Sequence, residues 1–371
     1  MQLSYWEIKS WFTDVDFTIV GSGIVGLNCA LSLQKKYPKS KILILERGLL
    51  PSGASTKNAG FACFGSVSEI LDDLKNHTEE EVFNLVKKRV DGLQLLRQNL
   101  GDKKLSYQGL GGYELFRSED VPLYEECTQR LDFINKLLVP IFSEKVFQLK
   151  AQDFGFQSLL SASFFTPFEG QLDTGKMMTA LIKKTVKKDI LILNGASVTG
   201  FSELKTQVNI QINDRFDFKT GKLLIATNGF ANEILKENVQ PARAQVLITK
   251  PIKNLKIKGN FHLDRGYNYF RNIDGRILLG GGRNLDFKGE ETTQQSTTIG
   301  IQLHLEALLK TVILPETSFE IDQRWSGTMG VGPQKNPILK PLSENVFCGI
   351  RMGGMGVAIG SIVGKELADL V

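Results

Sequence analysis

Apolar residues along this chain gather into short continuous runs, with longer stretches of helical period between them. Phe17 to Val20 is a run of the length and kind expected of a buried parallel strand. After the break Gly21-Ser22-Gly23, residues Ile24, Leu27 and Leu31 recur at helical spacing until Pro38 ends the pattern. Ile42 to Leu45 is a second apolar run, closed by Glu46. Strand, glycine turn, helix and strand within one short stretch predict a βαβ unit, and an α/β chain built around it.

Further along, Thr78-x-x-Glu81 is a capping box ahead of Val82, Leu85, Val86, Leu93 and Leu96. Ser118 is a candidate cap for a helix with Leu123, Cys127, Leu131, Ile134 and Leu138 on one face. Both helices are expected outside the domain built on that βαβ unit. Gly109 to Phe116 reads as a turn and strand, and Asp173 as the cap of a helix carrying Met177 and Leu181. Strands are expected at Ile190–Leu193 and near Val198, then a hairpin, Val208–Ile212 with Phe216–Phe218. Lys222 to Gly229 is an apolar strand ending in small polar residues, as at the ligand edge of an open α/β sheet. Residues 240–325 change to β-rich segments, which predicts an antiparallel sheet; Gly280-Gly281-Gly282 reads there as a strand end or bulge. The expected division is discontinuous: residues 1–80, 165–235 and 326–371 in a Rossmann-like domain, 81–164 and 236–325 in a second, mostly antiparallel domain.

Composition narrows the class. With 371 residues, 42% hydrophobic and 23% charged, the chain has the material for two domains with sizeable cores. A net charge of +5 is too small to argue for nucleic acid. No apolar run is long enough for a transmembrane helix, and the first residues, with Glu7, Asp14 and Asp16, do not resemble a secretory signal. They are expected to form a surface segment, with Trp6 and Trp11, packed on the first domain. Cys29, Cys63, Cys127 and Cys348 stand apart, which suits a reducing cytoplasm and speaks against a zinc or dithiol site. Three histidines, His77, His262 and His304, scattered along the chain, argue against a multi-histidine metal centre, so no metal is expected; His262 is read as a surface-loop or packing residue.

The chemistry lies in the glycines. Gly21, Gly23 and Gly26 have the spacing G-x-G-x-x-G: the first permits the turn, the second admits a pyrophosphate, the third brings helix and strand together. Glu46 can accept both hydroxyls of an adenosine ribose and disfavours a 2′-phosphate, so NADP is not expected. The block Pro51 to Gly65 reads as a cofactor cradle, with Ser55, Thr56 and Asn58 as donors and Gly60 for close approach. Gly353-Gly354-Met355-Gly356-Val357 enters a final helix, a second anion site by geometry.

Together these motifs resemble the FAD-dependent D-amino-acid oxidase superfamily, which includes glycine, sarcosine and γ-glutamylputrescine oxidases, over nearly the whole chain from Asp16. The fingerprint corresponds to Gly21, Ser22, Gly23, Ile24 and Gly26 with Glu46 and Arg47. The flavin loop corresponds to Ser55, Thr56, Asn58, Ala59 and Gly60 after Gly53-Ala54, and the adenine-side valine to Val198. The A-T-x-G strand end is Ala226, Thr227 and Gly229; the closing turn is Gly353 to Val357, with Met355 where many members carry His. Pro241, Arg243 and Gln245, with Trp325-Ser326-Gly327, are most similar to the γ-glutamylputrescine-oxidase-like branch.

The resemblance implies non-covalent FAD, since Ser326 and Gly327 stand where covalent members place Cys. It implies oxidation of a C–H bond beside an amine nitrogen by hydride transfer to the flavin, giving an imine that hydrolyses. No catalytic side chain is assigned. Tyr267, Tyr269, Arg271 and Trp325 are the expected contacts to an amine or amino-acid-derived substrate, with Arg271 or Arg283 as substitutes for an absent arginine: Thr328 and Met329 occupy the place where amino-acid-oxidising members carry it. Oxygen or a quinone-linked carrier would accept the electrons. Two alternatives stand beside this: an NAD-dependent dehydrogenase using only the first unit, against which the cradle and final turn argue, and a catalytically silent flavin-binding subunit.

Overall fold

The computed structural model describes residues 2–371. The strand Val15–Val20 lies between Ile42–Glu46 and the second half of Phe216–Ile225, parallel to both, because all three are apolar on both faces. Leu191–Asn194 and Val346–Ile350 extend the parallel sheet on either side, and Ile338–Pro341 adds an antiparallel edge. The first half of Phe216–Ile225 leaves this sheet to pair with Val208–Ile212, which pairs with Val198–Glu203.

Two helices cover one face, Ile24–Lys36 and the final Gly356–Asp369. Their close approach depends on Gly360 and Gly364: a Cβ at Gly364 would stand 2.5 Å from the Val25 carbonyl oxygen. The helix Glu79–Leu100 packs on the far side of the final helix, with Gly92 against the Ala358 carbonyl. Sequence pattern put that helix outside the nucleotide domain. Its Leu85, Leu93, Leu96 and Leu100 instead join the core beneath the parallel sheet, because they form one apolar stripe facing the final helix.

The second sheet runs Ile321–Val331, Gln240–Thr249, Arg276–Gly281, Asn268–Ile273, Asn260–Leu263, Gly112–Glu114, Ala162–Thr166, Gln148–Ala151. Only the contact between Asn260–Leu263 and Gly112–Glu114 is parallel. Ile299–Leu308 covers one face through Ile301, Leu305 and Leu308. Strands Ala162–Thr166 and Ile321–Val331 each run across a domain boundary expected from sequence. Ser118–Asp120 is a single 3-10 turn before the helix Val121–Phe142. Trp11 and Phe12 pack on the core of the first sheet, while Trp6 is 69% exposed. No described helix is long and apolar enough to cross a membrane.

Candidate active site

A long cleft runs between the two sheets, and both glycine turns open onto it. At one end, Gly21 (φ +105°) reverses the chain leaving the first strand, and Gly23 caps the first helix. A Cβ at Gly26 would lie 1.9 Å from the Gly21 carbonyl oxygen, so Gly26 holds the helix against the turn. Glu46 is buried; one carboxylate oxygen accepts from the Ser22 amide and hydroxyl, the other from the Gly48 amide and Ser52 hydroxyl. Arg47 pairs with Glu233 at 2.9 Å and lies 3.8 Å over the Phe230 ring; Val198 lines the same cleft.

The cradle is one helical turn, Ala54–Lys57, and the extended residues after it. Ser55 Oγ accepts from the Ile24 amide at 3.0 Å, which joins the cradle to the first helix. The donors expected of Thr56 and Asn58 are turned inward: Thr56 donates to the Pro51 carbonyl, and Asn58 to those of Ala54 and Ser55. Asn58 Oδ1 in turn accepts from the Gly60 amide and the Thr174 hydroxyl. These side chains fix the loop's shape, because a short irregular turn leaves its own backbone groups to be satisfied.

Arg271 and Trp325 serve the same loop from the second sheet. Arg271 donates to the carbonyls of Ala59 and Leu172, and Trp325 Nε1 donates to the Lys57 carbonyl at 2.9 Å. Burial lowers the Arg271 guanidinium to about 10, so it keeps its charge at neutral pH. Neither side chain lines the cleft, which removes the geometry expected of substrate contacts; alternation along a strand does not tell which face meets the cavity. Tyr267 and Tyr269 do line it, with Arg283 beside Tyr267. Burial pushes the Tyr269 phenol up to about 12, keeping it neutral.

At the far end, Gly353 and Gly354 take left-handed conformations (φ +59° and +84°) before the final helix. Gly353 to Val357 all line the cleft with the free amides of the helix's first turn. Asn228, itself left-handed, accepts from the Met352 amide and joins this turn to the strand end at Ala226–Thr227. Ala59, Gly60, Ala226 and Thr227 line the cleft; Ser22, Gly26, Thr56 and Gly229 stand behind its wall. A Cβ at Gly229 would meet the Met329 carbonyl oxygen at 2.4 Å, so this glycine serves packing.

The wall between these ends contains a pair that the sequence pattern concealed. His262, expected on a surface or in packing, sits in the strand Asn260–Leu263, buried, with Nε2 2.9 Å from Glu169 Oε2. Burial disfavours the imidazolium, but the charge and hydrogen bond of Glu169, aided by Glu69 and Glu114, hold its pKa up at about 9. The partners are 93 residues apart, a separation no local motif reveals.

A dinucleotide fits these residues on structural grounds. Both glycine turns line the one cleft, and the Thr227 hydroxyl beside them is buried without a partner among the described residues. The family model described as FAD dependent oxidoreductase, DAO, matches residues 16–370. Over 387 residues the chain is 20% identical to the "Probable oxidoreductase OrdL" of Haemophilus influenzae, covering 96% of this chain and 82% of that protein. The solved L-proline dehydrogenase from P. horikoshii aligns with a TM-score of 0.75 at 20% identity, covering 96% of this chain and 93% of that one. Glycine oxidase from Geobacillus kaustophilus aligns with a TM-score of 0.76 at 17% identity, covering 96% and 94%. At such identities the structural matches speak for the fold.

Proposed function

The chain belongs to the DAO family of FAD-dependent oxidoreductases, and from that premise we propose that it oxidises the C–H bond beside the nitrogen of an amine or amino-acid derivative. The product is an imine, which water converts to a carbonyl compound and a free amine. The observation that carries this reading is that the turns Gly21–Gly23 and Gly353–Gly356 open onto one cleft whose remaining wall is the second sheet. The family's FAD dependence removes the nicotinamide alternative.

FAD, when bound, supplies the two-electron acceptor for this oxidation. The chain's residues supply the rest. The dipole and free amides of the first helix would favour the pyrophosphate, and Glu46 would accept ribose hydroxyls in exchange for the Ser22 and Ser52 hydroxyls its carboxylate now holds. The first-turn amides of the final helix would offer positive charge to the electron-rich edge of the ring system. Tyr267 and Tyr269 form the aromatic wall on the substrate side. Non-covalent binding is supported by Cys63, the cysteine that lines the cleft: burial raises its thiol pKa well above the ordinary value, leaving it protonated and a poor nucleophile.

The narrower γ-glutamylputrescine branch has weaker support. Arg243 makes a buried bidentate pair with Glu290, and Gln245 bonds Glu290 and Thr298, so this part of its motif builds the sheet's interior. Amines reach the site as the neutral form in this proposal, with oxygen or a quinone-linked carrier as the electron acceptor.

The test is the purified protein itself. It is expected to be yellow, to release FAD on denaturation, and to bleach anaerobically with one member of a panel of amino acids, N-alkyl amino acids, polyamines and γ-glutamyl amines. A colourless protein that refuses added FAD overturns the cofactor assignment; a yellow protein that no amine bleaches leaves a silent flavoprotein.

A further inference from the structure

The cleft has a polar mouth that the proposed chemistry leaves unused. Asp72 and Arg265 line the cleft and are exposed, and Glu69 and Lys335 line it with them. Two elements meet there. The helix Val67–Leu74 is held to the second sheet by Glu114 of the strand Gly112–Glu114, which accepts from the Ser66 and Ser68 hydroxyls and the Ser68 amide. Facing it, residues 332–337 cross from the strand Ile321–Val331 of the second sheet to the edge strand Ile338–Pro341 of the first. Pro333 and Pro337 restrict the backbone of this crossing. Arg351, just past the strand Val346–Ile350, fixes its base by donating to the Asn336 carbonyl at 2.9 Å and the Asn238 carbonyl at 3.1 Å.

An ion pair joins the two elements. Lys335 Nζ lies against Asp73 Oδ1, and no other described side chain pairs with that carboxylate. Asp73 is 5% exposed, whereas the Lys335 side chain keeps 40% of its surface in water. The aspartate is therefore the fixed member. The lysine is the movable one, because its long flexible stem can carry the ammonium back into solvent. A half-exposed pair of this kind holds two elements together without locking them, since the lysine recovers its hydration on leaving. The crossing also covers the closing turn: a Cβ at Gly353 would stand 3.5 Å from the Lys335 carbonyl oxygen, and Gly353 lines the cleft.

We propose that the Lys335–Asp73 pair is a clasp over the mouth of the cleft. Closed, it holds the crossing against the helix and shuts the substrate side from solvent. Open, with Lys335 in water, it admits and releases small molecules. The clasp goes beyond the amine-oxidation reading, since it concerns access to the cleft whatever reacts inside.

The test needs no substrate. Cys63 lines the cleft on this side, where the charges of Glu69 and Arg89 act on its thiol, while Cys29, Cys127 and Cys348 are buried elsewhere. Labelling of the purified protein with N-ethylmaleimide at one pH, followed for each cysteine by mass spectrometry, reads opening at Cys63 against three internal controls. Lys335→Met is expected to label Cys63 about fivefold faster or more, with Lys335→Arg close to the wild type. Asp73→Asn should match Lys335→Met, and the double variant should be no faster than either single one, because both remove the same contact. The proposal is overturned if Cys63 labels no faster in Lys335→Met, if it resists the reagent in every form, or if all four cysteines quicken together. Additive effects in the double variant overturn it as well. Should Asp73→Asn fail to fold, Lys335→Met against Lys335→Arg decides. A protein that refuses FAD would strike the cofactor assignment and leave this measurement standing.

Discussion

A methyl group added at Gly26 would sit 1.9 Å from the Gly21 carbonyl oxygen, a distance no rotamer can relieve because both partners are backbone. Gly26→Ala should therefore push the first helix off the turn, costing roughly 2 kcal/mol or more and most of the FAD affinity. Thermal unfolding and flavin content of the purified variant check both. His262 makes a different prediction. Its folded pKa of about 9 exceeds the ordinary 6.5, so folding favours the protonated ring. The stabilisation is complete below pH 6.5 and is lost as pH rises through 9, on the order of a few kcal/mol by linkage. Denaturant unfolding of the wild type should weaken across that window, while His262→Asn, lacking the titrating ring, should show a flatter profile there.

Among elements, the cradle separates what residues say locally from what they do in the fold. Arg271 was expected at the substrate, yet it holds the carbonyls of Ala59 and Leu172. Arg271→Met should leave those buried carbonyls without donors, so FAD affinity should fall by tenfold or more. The substrate KM measured at saturating FAD should change little; a raised KM with unchanged FAD affinity would restore Arg271 to the substrate. The glycine turns and Glu46 were legible because their geometry is set within some 30 residues, by spacing that backbone and helix impose. The His262–Glu169 pair was not, since helix and strand periodicity identify a buried face without saying what it is buried against. The core role of Glu79–Leu100 was hidden for the same reason: its stripe was visible, its partner Ala358 was not.

At the scale of the molecule, the cofactor's place decides how the two sheets behave together. Glu46 and the final helix belong to the parallel sheet, whereas the cradle between them is tied to the second sheet by Arg271 and by the Trp325–Lys57 hydrogen bond. A ligand spanning the cleft from Glu46 to Gly354 would therefore touch elements anchored in both sheets, and its binding should be coupled to their docking. Free FAD at a hundred times its Kd would add about 2.7 kcal/mol to folding stability, a rise of several degrees in Tm for a chain of this size. Beyond this mass-action effect, Trp325 offers a local probe, since its indole donates directly to the cradle. Removing FAD should lower Tm and change the tryptophan emission, and Trp325→Phe should abolish most of that emission change, leaving only Trp6 and Trp11 near the amino terminus. If emission in Trp325→Phe still tracks FAD as in the wild type, the cradle is not the link between cofactor and second sheet.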